Sequence, residues 1–329
     1  MAGHEKPTGR LSAGHALNCC FAVLLAGAVL FALFALPLWL IPAHRSWAWA
    51  LIPLAALTPS HWALLHEAIH GRFHPRAPVN RAAGRALAIL GGSSFRVLRF
   101  GHLVHHRFNR YRMDRPDCFD PAEISPSVAR IRYFVELAGG FYLVEAVIPL
   151  LFLLPETLCR RILDRIYARP DGTVQQVRVL AQQTFIGRRQ LRELRQDAGL
   201  VLVLFGAAFA TWGADWPLLL AFLLGRGLIV SFLDNIYHYR TPLQDVDFAF
   251  NLRLSRPFRL LIMNMNLHRV HHREPHLPWW RLPGRFRDLG DSYDAHYAKA
   301  AAAQLRGPVP MERLAALPVM RPPASQRAR

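Results

Sequence analysis

Three histidine clusters in this sequence have the residue type and spacing to hold metal. The first is His66-Glu67-Ala68-Ile69-His70, the second His102-Leu103-Val104-His105-His106, and the third His268-Arg269-Val270-His271-His272. Positions i, i+3 and i+4 share one face of a helix, so each cluster presents its imidazoles on one side. Adjacent histidines within HxxHH can reach two metals side by side. Two HxxHH copies and one HxxxH in a single chain set these residues apart from histidines that merely sit at a surface. Of the 16 histidines, a ninth candidate is His238, in the run Leu233-Asp234-Asn235-Ile236-Tyr237-His238 that ends the last apolar stretch. Its depth in the chain matches that of His66 and His70 at the end of an earlier stretch.

The first cluster also reads literally as H-E-x-x-H, the zinc-protease pattern. That chemistry uses three protein ligands on one zinc in a soluble cleft. Two further clusters and apolar flanks argue against it. A ligating imidazole needs a partner for its other ring nitrogen. Glu67, Asp114, Asp117 and Asp234 lie near the clusters and are candidates for that role. Asp234 or Asn235, one turn before His238, could act through water or orient a ligand. His61, His74 and His276 lie close to the clusters but off their spacing, which suits outer-sphere or interfacial roles. His4, His15, His44 and His296 have no place in the pattern. Imidazole serves iron, copper and zinc alike, so the ligand set does not name the metal.

The segments HEAIH, HLVHH and NLHRVHHREPHLPWWRLP resemble the histidine boxes of the membrane fatty acid desaturase superfamily, which includes acyl hydroxylases and carotenoid ketolases. The resemblance covers roughly residues 60 to 290, and the third box with its PWWRLP tail is its most specific part. It implies a non-haem centre of two iron ions on the cytosolic side, above four membrane helices. It implies O2 as co-substrate, electrons from a ferredoxin- or cytochrome-type donor, and a membrane lipid or acyl chain as substrate. Carried over residue by residue, the metal ligands would be His66, His70, His102, His105, His106, His238, His268, His271 and His272. Glu67, Asp234 and Asn235 would stand behind them.

The elements that must position these residues are apolar spans. Hydrophobic residues make up 52% of the 329-residue chain, yet its formal net charge is +18. That combination fits spans that cross a bilayer with basic segments kept on the cytoplasmic side. Leu17–Ile41 is long enough to cross, and Trp47–Leu65 follows after a turn so short that the two form a helical hairpin. Trp47 and Trp49 are placed as interfacial anchors. Ala198–Trp212 and Trp216–Leu233 supply two more spans, the first of them short. Tyr133–Leu154 is also apolar, but counting it as a crossing would separate the second and third clusters by three spans. It would also place the arginine-rich Arg160–Arg195 segment outside. It is therefore expected to be re-entrant or interfacial.

The expected architecture is an all-α integral membrane protein: four transmembrane helices with a cytosolic helical cap carrying a di-metal site. Residues 1–16 would form an N-terminal cytosolic segment, 17–290 the membrane domain with its cap, and 291–329 a basic tail, partly disordered. Trp279 and Trp280 are expected to anchor the domain at the headgroups rather than line a substrate mouth. The four cysteines show no framework or CxxC spacing and read as reduced thiols. The basic residues border apolar spans and form no groove-reading motif, so nucleic acid is not an expected partner. Among oxidations of an acyl chain, desaturation is the expected outcome, with lipid or carotenoid hydroxylation or ketolation the alternative. The expected setting is the bacterial inner membrane, with the site facing the cytoplasm. A histidine-rich metal-binding or transport protein, the rival from another class, would carry ions on acidic or polar residues inside its spans. The first two spans carry almost none.

Overall fold

The computed structural model describes residues 11–169 and 171–314. His4 and the tail from Arg321 lie outside the described residues. Four continuous helical stretches are long and apolar enough to cross a bilayer: Ala13–Ala43 (α1), Arg45–Ile69 (α2), Pro126–Leu151 (α5) and Arg188–Asn235. The last is two rods, Arg188–Trp212 (α8) and Trp216–Asn235 (α9), joined by a single turn at Gly213–Asp215. Between and after them lie shorter helices. These are Ala77–Leu90 (α3), Phe95–Phe108 (α4), Glu156–Ile166 (α6), Gly172–Phe185 (α7), Arg256–Leu261 (α10), His268–Arg273 (α11), Leu282–Asp288 (α12) and Tyr297–Gln304 (α13). Strand is confined to two parallel pairs of two residues each among the described residues, Cys118–Phe119 with Val309–Pro310 and Leu252–Arg253 with Ala295–His296. The chain is an all-α membrane protein with a helical cap.

Hydrogen bonds fix which end of each rod carries the histidines. The start of α2 and the turn between α8 and α9 meet through Arg45 and Asp215, at 2.7 Å. That is the end away from the histidine clusters. At the other end Asp197, near the start of α8, accepts from Arg85 of α3 and from Ser94, which precedes α4. The short apolar run Ala198–Trp212 is thus the inner part of a 25-residue helix whose first turns stand in the cap. Length is no obstacle to its crossing.

The α5 helix begins and ends on the histidine side. Near its start, the Tyr133 hydroxyl donates to Gln304 O (2.8 Å) and accepts from Asn235 at the end of α9 (3.1 Å). Just past its end, Phe152 O and Leu154 O accept from Arg195 at the start of α8. In between the helix breaks at Gly139, whose φ of +117° an L side chain rarely adopts. The helix therefore dips beside α9 and returns, so the sequence from 126 to 154 adds no crossing. This leaves α1, α2, α8 and α9 as the spans.

In lipid, apolar burial gives little drive for helices to associate, so close packing and internal hydrogen bonds must hold the rods together. Leu33, Leu36 and Leu219 are fully buried at the far end, where Trp212 Nε1 donates to Leu33 O (3.2 Å). Pro37 sits inside α1, where the turns of Phe31–Leu40 widen to π geometry around the missing donor. One charged group lies deep in a span. Arg226 of α9 donates to His61 Nδ1 (3.1 Å) and to Leu90 O, while His61 Nε2 donates to Leu87 O (2.8 Å). Both carbonyls lie in the last turn of α3, where Leu87 O also accepts from Gly91 N, so the guanidinium and His61 together close a helix C-terminus. His61 thus serves the scaffold.

The side chains of Val128 and Leu153, at opposite ends of the α5 segment, are both exposed. In a cysteine-free background, Val128→Cys and Leu153→Cys should react with a membrane-impermeant maleimide from the same face as Arg161→Cys. Trp49→Cys should react from the opposite face. Labelling of Leu153→Cys from the Trp49 face would make the segment a crossing.

Candidate metal centre

Each histidine cluster sits where a helix enters the cap. The first ends α2, the second fills the last two turns of α4, and the third makes up α11. Two buried asparagines shape the loop before α11. Asn264, at φ +55°, donates to Trp279 O, and Asn266 exchanges bonds with the backbone of Leu252. Within α11 the guanidinium of Arg269 reaches Asp291 (2.7 Å) and Asp294 (2.8 Å), fixing the rotation of that helix. Residues 291–314, assigned from sequence to the tail, are thereby folded onto the cap.

The nine histidines form two groups. His66, His70, His102, His106 and His271 make one, and His105, His238, His268 and His272 make the other, with ligand atoms within 4.8 Å of one another in each. Helical spacing explains the split. In each HxxHH the i and i+4 members point to one group and the i+3 member to its neighbour. The groups abut where the His106 and His272 rings stack at 4.4 Å.

The contacts in the first group exceed what protons can satisfy. The Nε2 atoms form a path: His66 to His271 at 3.0 Å, His271 to His106 at 3.0 Å, His106 to His102 at 3.0 Å, and His102 to His70 at 2.9 Å. A neutral imidazole nitrogen either donates one proton or accepts with one in-plane lone pair. Each nitrogen serves one contact, so at most two of the four links are hydrogen bonds. A cation among the nitrogens removes the conflict. Ligand nitrogens about 2.1 Å from one ion and at right angles to each other lie about 3.0 Å apart.

The second group makes the same point through its tautomers. His105 Nδ1 donates to Asp114 (2.7 Å), and His272 Nδ1 donates to the carbonyl of Val246 (3.0 Å). In the neutral rings this leaves two Nε2 lone pairs facing each other at 3.2 Å. His238 is buried with neither ring nitrogen hydrogen-bonded, and His268 Nδ1 is likewise orphaned. Burial favours the neutral, ligating form of His102, His238, His268, His271 and His272, all held well below the ordinary histidine value. His105 differs: burial pulls its pKa down, but the Asp114 carboxylate outweighs that and raises it. The donor set fits a pair of metal ions.

The residues expected behind the ligands divide. Asp114 touches His105 directly. Asp117 instead forms a buried ion pair with Arg110 and accepts from Arg240 N. Arg110 also donates to Thr241 O, and the Thr241 hydroxyl donates to His238 O, so this pair ties the end of α4 to the segment carrying His238. Asn235 donates to Tyr133 and Gln304, away from the histidines. The Asp234 side chain makes no hydrogen bond among the described residues. Its charge acts on His105 from nearby. Glu67 turns from the histidines to accept from Trp279 N (3.2 Å), so it stands clear of the position a zinc protease's general base would occupy. His74 Nδ1 accepts from Arg76 N.

Trp279, expected at the headgroups, is buried. Its indole donates to Asn18 (3.0 Å), which in turn donates to Phe73 O, bracing α1 against the third box. Trp280 packs so tightly on α1 that a Cβ at Gly14 would lie 2.3 Å from its ring. Sequence reasoning missed Arg110, Arg269 and the Val246 carbonyl. The first two carried one weak signal: arginines inside or beside a cluster, with aspartates some residues downstream.

An apolar bundle whose cap gathers nine histidines defines a membrane protein with a candidate two-metal site. A family model described as fatty acid desaturase matches residues 44–302, a range that includes all nine. The chain belongs to the fatty acid desaturase family. No individual curated protein matches it.

Outer carboxylates that orient ligating histidines typically contribute about 10–100-fold in metal affinity. Asp114→Asn should lower metal retention by that order when the protein is dialysed against graded chelator. Asp164→Asn, remote from the site, should leave retention unchanged.

Proposed function

We propose that this protein uses O2 to oxidise an unactivated C–H bond in a lipid acyl chain, with desaturation as the outcome. Two iron ions would be held, one by His66, His70, His102, His106 and His271, the other by His105, His238, His268 and His272. The observation that supports this most is the convergence of Nε2 atoms, beyond what protons can satisfy, at one end of an apolar helical bundle. Imidazole does not choose iron over copper or zinc, so the family supplies that assignment. Bound there, iron supplies the activation of O2 and the removal of hydrogen from a CH2 group, chemistry that side chains alone do not perform.

The chain's own residues do the rest. The His105–Asp114 and His272–Val246 bonds hold those two rings in the tautomer that leaves Nε2 free. The buried pairs Arg110–Asp117 and Arg269–Asp291 fix the helix ends and keep the ligand geometry when electrons arrive. Desaturation converts CH2–CH2, O2, two electrons and two protons into CH=CH and two waters. The electrons would come from a ferredoxin- or cytochrome-type donor on the cytoplasmic side of a bacterial inner membrane. The excess of arginine on that face suits an acidic donor. Hydroxylation or ketolation would use the same centre with the acyl chain placed differently.

Lipid profiles of a host expressing the protein and of one expressing His271→Ala test this reading. New double bonds confined to the unaltered protein are expected. New hydroxyl or keto groups instead would replace desaturation by oxygen insertion. Identical profiles in a host supplied with a working donor and iron-loaded protein would contradict lipid oxidation.

A further inference from the structure

A centre that activates O2 must also dispose of oxidising power when no acyl chain is in place, or its own ligands are consumed. Among the described residues, two oxidisable aromatic rings pair with the ligand rings. Trp62 stands edge-on to His102 of the first group, with centroids 6.5 Å apart. Tyr237 lies closer. It stacks on His268 of the second group at 4.4 Å, with 22° between the planes, so its π-face covers a ligand ring.

Of the two, Tyr237 leads outward. Its hydroxyl meets that of Tyr297 at 3.3 Å, and the two rings have centroids 6.1 Å apart. Tyr237 is buried, whereas Tyr297, the first residue of α13, is half-buried at the edge of the cap. A phenol both donates and accepts, so either oxygen of this bond can hold the hydrogen. Both rings pack in an apolar cluster with Ile236, Phe248, Phe250 and Leu252. No other member of that cluster is a tyrosine, tryptophan, cysteine or methionine, so the path has no side branch there. Trp62 pairs with no second aromatic ring among the described residues. The series His268, Tyr237, Tyr297 thus runs from a ligand of the second group to the surface of the cap.

We propose that Tyr237 and Tyr297 form an escape route that carries oxidising equivalents from the metal centre to a soluble thiol when no lipid is bound. The proposal rests on the O2-activating function given above. Tyr237 gives one electron to the centre through the His268 ring. Its phenolic proton shifts to the Tyr297 oxygen, and Tyr297 releases its own proton to water. Tyr297 then returns a hydrogen atom along the same bond, which restores Tyr237 and leaves the radical on Tyr297. A thiol RSH gives its hydrogen atom to Tyr297, and two RS radicals join as RSSR. Over two rounds, O2, two donor electrons, two protons and two RSH become two waters and RSSR.

The test uses the full-length, iron-loaded protein in detergent without lipid. Hydrogen peroxide is added, because it is O2 with two electrons and two protons already supplied. Radicals are captured with a nitroso spin trap and located by peptide mass spectrometry. Tyr297 should carry the adduct, and added thiol should suppress it. Tyr297→Phe should move the adduct to Tyr237. Tyr237→Phe, which keeps a ring on His268, should abolish the adduct at Tyr297. Both variants should load iron as the unaltered protein does, yet lose it faster under peroxide as ligand histidines are oxidised instead. Tyr167→Phe, at the end of α6, should change nothing. An undiminished Tyr297 adduct in Tyr237→Phe, or equal adducts in iron-free protein, would overturn the proposal. Lipid oxidation by a protein that shows no tyrosine adduct would overturn this route and leave the proposed function standing. Iron-dependent tyrosine adducts in a protein that oxidises no lipid would do the reverse.

Discussion

Imidazole nitrogens that face one another at 2.9–3.2 Å hold their arrangement only if a cation sits among them or a rigid frame resists their repulsion. Much of the surrounding structure can be understood as that frame. Three elements distant in sequence, the ends of α2 and α4 and the short α11, must bring nitrogens together within ångströms. Each is pinned by a buried polar device as well as by apolar contact. Arg110 with Asp117 and Thr241 joins α4 to the His238 segment, and Arg269 with Asp291 and Asp294 sets the rotation of α11. The Asn18–Trp279 bond braces α1 against the third box. Such pairs are specific in direction, and losing one partner costs about 3–5 kcal/mol because the other charge stays buried. That directionality suits a site in which a shift of a fraction of an ångström would separate ligand from metal.

The membrane part serves the same end by different means. Its four spans present outward-facing leucines, valines and tryptophans and give the cap a fixed platform. Several polar groups in the spans are satisfied locally. Arg226 and His61 close the last turn of α3, and Trp212 donates to Leu33 O. Because α3 leads directly into α4, the Arg226 cap also sets the height at which the second histidine cluster enters the site. The link from a buried arginine in α9 to the cluster on α4 is therefore short, and it runs through backbone carbonyls.

The eight clustered histidines were legible in their spacing, since helical periodicity places i, i+3 and i+4 on one face, and His238 in its place at the end of a span. The parity of the spans also foretold that the Tyr133–Leu154 stretch returns to its starting side. The partition of the nine into groups of five and four was not legible. It depends on how three helices cross, which no local pattern encodes. Trp279 misled for a related reason. A tryptophan beside a basic, proline-rich turn has the composition of an interfacial anchor, but an asparagine 261 residues earlier supplies it with a buried partner. Asn235 and Asp117 were near the histidines in sequence and found stronger partners elsewhere, in Tyr133 with Gln304 and in Arg110. The Val246 carbonyl had no signal at all, because any residue type supplies one.

Family membership and site geometry agree on a membrane protein whose cap gathers histidines that could hold metal, and the central claim is the pair of ions. Anomalous diffraction from crystals of the full-length protein, recorded on either side of the iron absorption edge, tests it most directly. Two iron peaks are predicted, one among His66, His70, His102, His106 and His271 and the other among His105, His238, His268 and His272. A single peak, a pair that vanishes at the iron edge but persists at that of zinc, or density coordinated by carboxylates in place of these imidazoles would contradict the account.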